Sequence, residues 1–426
     1  MTDKQLETPN PKPANRSLSW RTLPRNVWAV SVTSFFMDIS SEMVINILPL
    51  FLSNVLGVKT NVIGLIEGIA EATASLLKVF SGWLSDKLRA RKWLAVTGYG
   101  LSALVKPLFY VANSWLVVAG VRWADRVGKG IRTAPRDALV ADSIDERHRG
   151  LAFGLHRAAD TGGAMLGLII ALAVVWMAQR SNMVLGRATF QTIVLISLIP
   201  AFLAVLSLAI GARDVPIKRE REAPKVSFRG LGRRFAIFMV IVGIFDLGNS
   251  SDAFLVLRAS ERGLNVVQVL GMLITFTLVY TLLSTPAGAL SDRIGRRKLI
   301  IGGWLIYALI YFGLAVARTG WHVWVLYAVY GAYYGLAYGT TKAMVADIVP
   351  AELRGTAYGT YNAVLGILDF PASLIAGLLW SGMPSWGWNG FGPSAPFFFG
   401  GILALAAAVL LALWSPRTGQ SPAREP

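Results

Sequence analysis

An all-α membrane protein, with twelve transmembrane helices in two similar six-helix halves, is predicted by three observations. First, only 15% of the 426 residues are charged and 54% are hydrophobic, whereas a soluble domain carries about a quarter charged residues. Second, the apolar residues gather into twelve stretches, each near the roughly 20 residues a helix needs to cross a bilayer. Third, short strings from the first six stretches return in the last six at a nearly constant offset. Together these exclude an ordinary soluble enzyme. Cys is absent and the three His (His148, His156, His322) are isolated, which removes thiolate chemistry and gives no metal-ligand spacing. No cofactor is expected.

Taken in order, residues 1–26 form a polar tail broken by Pro9, Pro11, Pro13 and Pro24, without the short apolar core of a cleaved signal. Six apolar stretches follow at 27–54, 62–85, 93–112, 115–141, 151–176 and 190–210, making a first bundle over 27–210. The hydrophilic segment 211–234 reads as a linker. Six more stretches, at 235–257, 266–291, 299–317, 323–349, 355–380 and 397–414, make a second bundle over 235–414, followed by a polar tail, 415–426. When both tails, the linker and the even-numbered loops are assigned to one side, that side holds 26 of the 41 Lys and Arg. The opposite loops hold only Lys59, Arg180, Arg187, Arg258, Arg262 and Arg318. Lys/Arg-rich loops are cytoplasmic, so both termini are expected inside a cell (inner) membrane. The net charge of +17 is then mostly topology, and no nucleic-acid partner is implied.

The repeat is specific. Gly82-Trp-Leu-Ser-Asp86 followed by Arg91-Lys92 returns as Gly288-Ala-Leu-Ser-Asp292 followed by Arg297-Lys298. Val140-Ala-Asp142, then Arg149-Gly150, returns as Val345-Ala-Asp347, then Arg354-Gly355. Ser40-Ser41-Glu42 is matched by Ser250-Ser251-Asp252. Parallel six-helix repeats are an architecture of secondary transporters, with the substrate path between them.

On these residues the sequence resembles the major facilitator superfamily over almost its whole length. The family's loop signature, G-x-x-x-D-[RK]-x-G-[RK]-[RK], is met completely by Gly288, Asp292, Arg293, Gly295, Arg296 and Arg297. The first copy keeps Gly82, Asp86, Lys87, Arg91 and Lys92, with Arg89 where the second Gly belongs. The membrane-edge Asp is expected to pair with basic residues, and such pairs to form and break as the cytoplasmic side closes and opens. In the fourth stretch Arg122-x-x-Asp125-Arg126-x-Gly128-x-Gly130 resembles the R-x-x-Q-G-x-G-x-A signature of the family's twelve-helix drug/proton antiporters, with Asp125 for Gln and Arg126 for Gly. Asp160-Thr-Gly162-Gly163-x-x-x-Gly167 partly resembles their Gly/Pro-rich signature but lacks its Pro.

Charges inside the apolar stretches point to the site. Each costs about 2.5–3.5 kcal/mol at a lipid-facing helix centre, so they must face water or one another. Arg122, Asp125, Arg126, Lys129, Arg132 and Arg136 fall within an arc of roughly 120° on one helix. Asp38, Glu42 and Asn46 align at i, i+4, i+8, and Glu67 aligns with Glu71. One reading is an ion-pair network that holds the first bundle together, joined by Arg157 and Asp160. The other is that Asp38, Glu42 or Glu71 carries a proton. In the second bundle Asp246, Asn249 and Ser250 share a face, and Tyr327, Tyr330, Tyr334 and Tyr338 form a stripe. Tyr361 and Asn362 stand where the first bundle has His156 and Arg157. These side chains suit a cavity wall, although helix packing accounts for the tyrosines equally well.

The expected function is proton-coupled efflux of a small organic compound by alternating access, with protons, the compound and the lipid bilayer as partners and a monomer as the simplest assembly. Carriage of an organic anion or phosphorylated metabolite is the alternative, drawn from Arg122, Arg126, Lys129 and Arg157. Metal-cation export ranks lower because His and Cys ligands are missing. A non-transporting scaffold or receptor leaves the buried charges unexplained.

Overall fold

The computed structural model of the chain describes residues 22–88, 90–145, 148–179, 184–215, 230–350 and 353–414. The tails and most of the 211–234 linker lie outside the described residues. The helices are α1 (Arg25–Ile45), α2 (Leu48–Leu50), α3 (Thr60–Leu88), α4 (Arg91–Val105), α5 (Trp115–Asp142), α6 (Arg149–Ala178), α7 (Arg187–Gly211), α8 (Gly232–Leu247), α9 (Ala253–Glu261), α10 (Val266–Ile294), α11 (Arg296–Val316), α12 (Gly320–Tyr333), α13 (Gly339–Ile348), α14 (Arg354–Ser381) and α15 (Ala395–Leu413). They make twelve spans. The first joins α1, α2 and a π turn, Phe51–Val55; the third joins α4 to a 3-10 turn, Lys106–Phe109. The seventh is α8 with α9, and the tenth is α12 and α13 joined by a π turn, Tyr334–Tyr338.

Among the described residues, seven segments are long and apolar enough to cross a bilayer by length and composition alone. Those that fall short do so for a reason. α3 and α5 carry acids and bases along one face, and spans three, seven and ten are interrupted. The repeat is visible in the helix bounds: α3 and α10 start and end 206 positions apart, and the starts of α4 and α11, and of α6 and α14, lie 205 apart.

Within the first half α1 packs on α6 and α7, and α5 lies between α3 and α4; in the second half α11 packs on α15 and α10 on α12. The halves meet along two lines, α3 against α14 and α6 against α10. Small residues make the first line possible: a Cβ on Gly64 would sit 2.4 Å from the Ser373 carbonyl oxygen. At the end away from Arg25, the Asn61 side chain donates to the Gly382 carbonyl (2.9 Å) and the Asn61 backbone N–H to Ser381 Oγ (3.0 Å). The Gly-rich string of the fifth span serves contact within the first half. Cβ atoms on Gly163 and Gly167 would lie 2.3 and 2.5 Å from the carbonyl oxygens of Phe35 and Ile39 on α1.

One expectation needs correction. The seventh span is not one helix: α8 stops at Leu247 and α9 starts at Ala253, so Asp246 shares no helical face with Asn249 and Ser250. The loop-signature arginines Arg91, Arg296 and Arg297 tie helices of one half together. Arg91 pairs with Asp142, and at the equivalent place Arg296 Nη1 lies 2.6 Å from Asp347 Oδ1. Arg297 donates to the Leu411 carbonyl (3.0 Å) at the end of α15. Gly295, in the complete copy, adopts φ +90°, a conformation open to Gly. The side chains of Asp86, Asp292 and Arg293, and Gly288, lie outside the described residues; a Cβ on Gly82 would meet Ala134 Cβ of α5 at 3.4 Å, an ordinary contact.

Candidate functional site

Where spans one and seven break, a cavity of about 450 Å³ lies between the halves. The break in span one follows Ile45, and Pro49 stands in the first turn of α2. Glu42, one turn earlier, accepts a hydrogen bond from Asn46 Nδ2 at 2.6 Å, and both residues line the cavity. In span seven the unwound segment presents Asn249, Ser250 and Ser251, then Asp252 ahead of α9. Asp252 is exposed to the cavity and accepts from the Tyr330 hydroxyl at 3.3 Å. The Ser251 N–H, freed by the break, donates to Ser373 Oγ (3.2 Å) on α14.

The wall contributed by α3 and α5 is a ladder of charges. Helical spacing puts Glu67 and Glu71 on one face of α3 and Arg122, Arg126 and Lys129 on one face of α5. Arg122, 2% exposed, grips Glu67 with two bonds, Nη2 to Oε2 at 2.6 Å and Nε to Oε1 at 3.2 Å. Its Nη2 also lies 3.4 Å from Glu71 Oε1, to which Arg126 Nη2 comes within 2.8 Å. Guanidinium and carboxylate match as planar forks. Lys129 is exposed at the cavity wall. From the second half come Tyr330, Tyr334 and, on α14, Asp369 and Ser373.

The predicted site residues thus divide. Glu42, Asn46, Glu71, Arg122, Arg126, Lys129, Asn249, Tyr330 and Tyr334 are brought together. Asp125 is buried behind the ladder, its Oδ2 4.0 Å from Arg122 Nη1. Asp38 sits one turn before Glu42 and outside the cavity wall, while Asp160 Oδ2 lies 3.7 Å from buried His156 Nε2. Arg157 reaches across to the other half, donating to the Tyr280 hydroxyl with its guanidinium 5.7 Å from the ring centre. Asp246 and Tyr361 are buried away from the wall, and Asn362 donates to the Tyr358 carbonyl of its own helix (2.9 Å). Tyr327 is buried in the core against Phe276, so its part of the stripe is packing.

Glu67, Asp252, Asp369 and Ser373 complete the wall without having been singled out as site residues. Two signals were present. Glu67 stands four residues before Glu71, and Asp252 is the acid of the Ser-Ser-acid string that repeats Glu42.

A charged cavity on the seam of two six-helix repeats joins the fold to one family. The sequence matches the Major Facilitator Superfamily profile over residues 30–367 and 238–426. The chain belongs to that superfamily. An uncharacterized MFS-type transporter of Methanocaldococcus jannaschii is 34% identical over 397 residues, covering 92% of this chain and 95% of its own length. A cis,cis-muconate transport protein of Acinetobacter baylyi is 21% identical over 75% of this chain and 78% of its own length. Among solved structures a nucleoside transporter superposes with a TM-score of 0.74, covering 91% of this chain and 99% of that one at 12% identity, a likeness of fold alone. As a major facilitator protein the chain is an integral membrane secondary transporter and not an enzyme.

Proposed function

We propose that this transporter exchanges protons for a small organic compound, which it exports by rocking its two halves about the central cavity, with the Lys/Arg-rich end and both termini in the cytoplasm. The observation that carries this reading is the charge inventory of the wall. Glu42, Glu67, Glu71, Asp252 and Asp369 face Arg122, Arg126 and Lys129. Arg122 and Arg126 are already held by Glu67 and Glu71, so carboxylates are in surplus. A surplus of acids in a water-reached site takes up protons or positively charged groups. Competition between proton and compound for one carboxylate then gives exchange: loading either expels the other. Glu42 and Glu71 are the candidate coupling acids within the wall, and Asp38 is the one just outside it.

A second reading, carriage of an organic anion, is favoured by exposed Lys129 and by likeness to the muconate transport protein. It must rely on Lys129, because both wall arginines are occupied.

Purified protein in liposomes with an imposed pH gradient and a pH dye in the lumen separates the readings. Compounds are first chosen by the rise they cause in melting temperature. Lumenal pH is expected to move on adding such a compound, and E42Q, E71Q or D38N to abolish the movement. Proton-driven exchange that survives all three substitutions ends the assignment of the coupling acid. Loss of dicarboxylate binding on Lys129→Gln would favour the anion reading.

A further inference from the structure

Asp246 has no place in the exchange just described, and its surroundings are unusual. It lies in the last turn of α8, is 6% exposed, and its Oδ2 is buried without a hydrogen-bond partner. No ion pair among the described residues involves it or Asp369. The helix ends one residue later, at Leu247, at the break of span seven, where the Asp246 carbonyl accepts the Asn249 N–H (2.9 Å). The carbonyl end of a helix carries partial negative charge, and such half-helix ends in transporters gather cations. An ionised carboxylate buried there with no cation costs far more than a neutral acid.

We propose that Asp246 is a proton-binding site of the second half, filled from the cavity by way of Asp369. Asp369, on α14, stands in the cavity wall, and because α14 packs on α8 it is near enough for its charge to act on Asp246. Its own charged neighbours are Glu71 and Lys78 of α3, and Tyr333 of α12 is the hydroxyl-bearing neighbour of Asp246. A hydronium ion of the cavity water protonates the Asp369 carboxylate and leaves as water, and the proton passes on to Asp246 when movement at the break of span seven brings the two carboxyls within hydrogen-bond reach, leaving Asp369 ionised again. A metal cation is a poorer fit: it needs several oxygen ligands around it, and no hydrogen-bonding group approaches Oδ2. A proton needs only that one oxygen. The site borrows from the proton-coupled reading only its use in transport; its existence does not depend on the compound exported.

Infrared difference spectra of the full-length protein in liposomes, in KCl and without any substrate, test it. The carbonyl stretch of a protonated carboxylic acid is expected in the native protein, lost in Asp246→Asn and unchanged when NaCl replaces KCl. Identical spectra for native protein and Asp246→Asn overturn the proposal, as does loss of the band in NaCl, which marks a sodium site. Should Asp246→Asn not fold, Asp369→Asn serves: exchange of the band into heavy water is expected to slow at least tenfold, and an unchanged rate overturns the route. Since no gradient or substrate is used, failure here and failure of antiport are separate results.

Discussion

Replacing Arg122 with Met should be among the most damaging single changes in the chain, and replacing Glu67 with it should repair part of the damage. At 2.6 Å and an effective dielectric constant of about 20, the pair attracts by about 6 kcal/mol. That is of the order of the several kcal/mol required to take each ion out of water. Net stabilisation by the intact pair is therefore small, but its halves cannot be removed separately. Arg122→Met leaves Glu67, 3% exposed, as an uncompensated buried anion, at a cost of about 3–5 kcal/mol. Glu67→Met is milder, because Arg122 keeps Glu71 at 3.4 Å and Asp125 at 4.0 Å. The double variant buries two apolar side chains of suitable length and should be less destabilised than the sum of the singles by about 2 kcal/mol. Reversible unfolding in micelles, read by circular dichroism and extrapolated to zero denaturant, gives all four corners of the cycle. Additive singles would show that the two charges do not compensate each other, and the account of the ladder would fail.

Two further outcomes follow from contacts elsewhere. Gly64→Val should cost about 1–3 kcal/mol and lift α3 from α14, since the atom in its way is the backbone oxygen of Ser373. The chain has no Cys of its own, so disulfide yield between N61C and S381C, high in the native background and reduced by Gly64→Val, reads the separation directly. Arg258 is fully buried and donates to the carbonyls of Leu314 (3.0 Å) and Ala315 (2.8 Å) and to Glu261 (2.8 Å). Arg258→Ala should lose about 3 kcal/mol in thermal unfolding, and Arg258→Lys, lacking the fork, should not restore it.

How far the sequence could be read depended on what each residue's position encodes. Span number, the repeat and the Lys/Arg-rich side follow from composition along the chain, and the helix bounds repeat at the offsets seen in the strings around Asp86 and Asp292. The ladder was half legible: i, i+4 spacing aligned Glu67 with Glu71 and Arg122 with Arg126, but whether that face met water or a partner depends on how α3 and α5 are rotated against each other. The break in span seven falls on the polar string Gly248-Asn249-Ser250-Ser251-Asp252 and that in span one beside Asn46, but each is so short that the apolar residues on both sides merge into one stretch. Asp246 was therefore put on a face with Asn249 that does not exist. Arg91 pairs with Asp142, which lies in a second repeated string, and only their nearly equal offsets linked the two.

The breaks also explain why the halves differ in chemistry although they share topology. A helix interrupted at membrane depth frees backbone groups that only protein or water can satisfy. In span seven the Tyr307 hydroxyl takes the Gly248 carbonyl (3.2 Å) and Ser373 takes the Ser251 N–H, so the wall is polar before any charged side chain is added, and Asp252 needs only the Tyr330 hydroxyl. In the first half the polarity is supplied instead by whole charges, and the two wall arginines are answered within the same half: Arg122 and Arg126 on α5 answer Glu67 and Glu71 on α3. When the halves rock, that ladder moves as one body and its pairs stay made. The groups whose surroundings must change are those at the seam, Glu71 beside Asp369 and Arg157 on Tyr280. Under the proposed exchange, a driving ion has to act where its binding free energy differs between the two states, so that proposal places its coupling acids at the seam and not in the buried rungs.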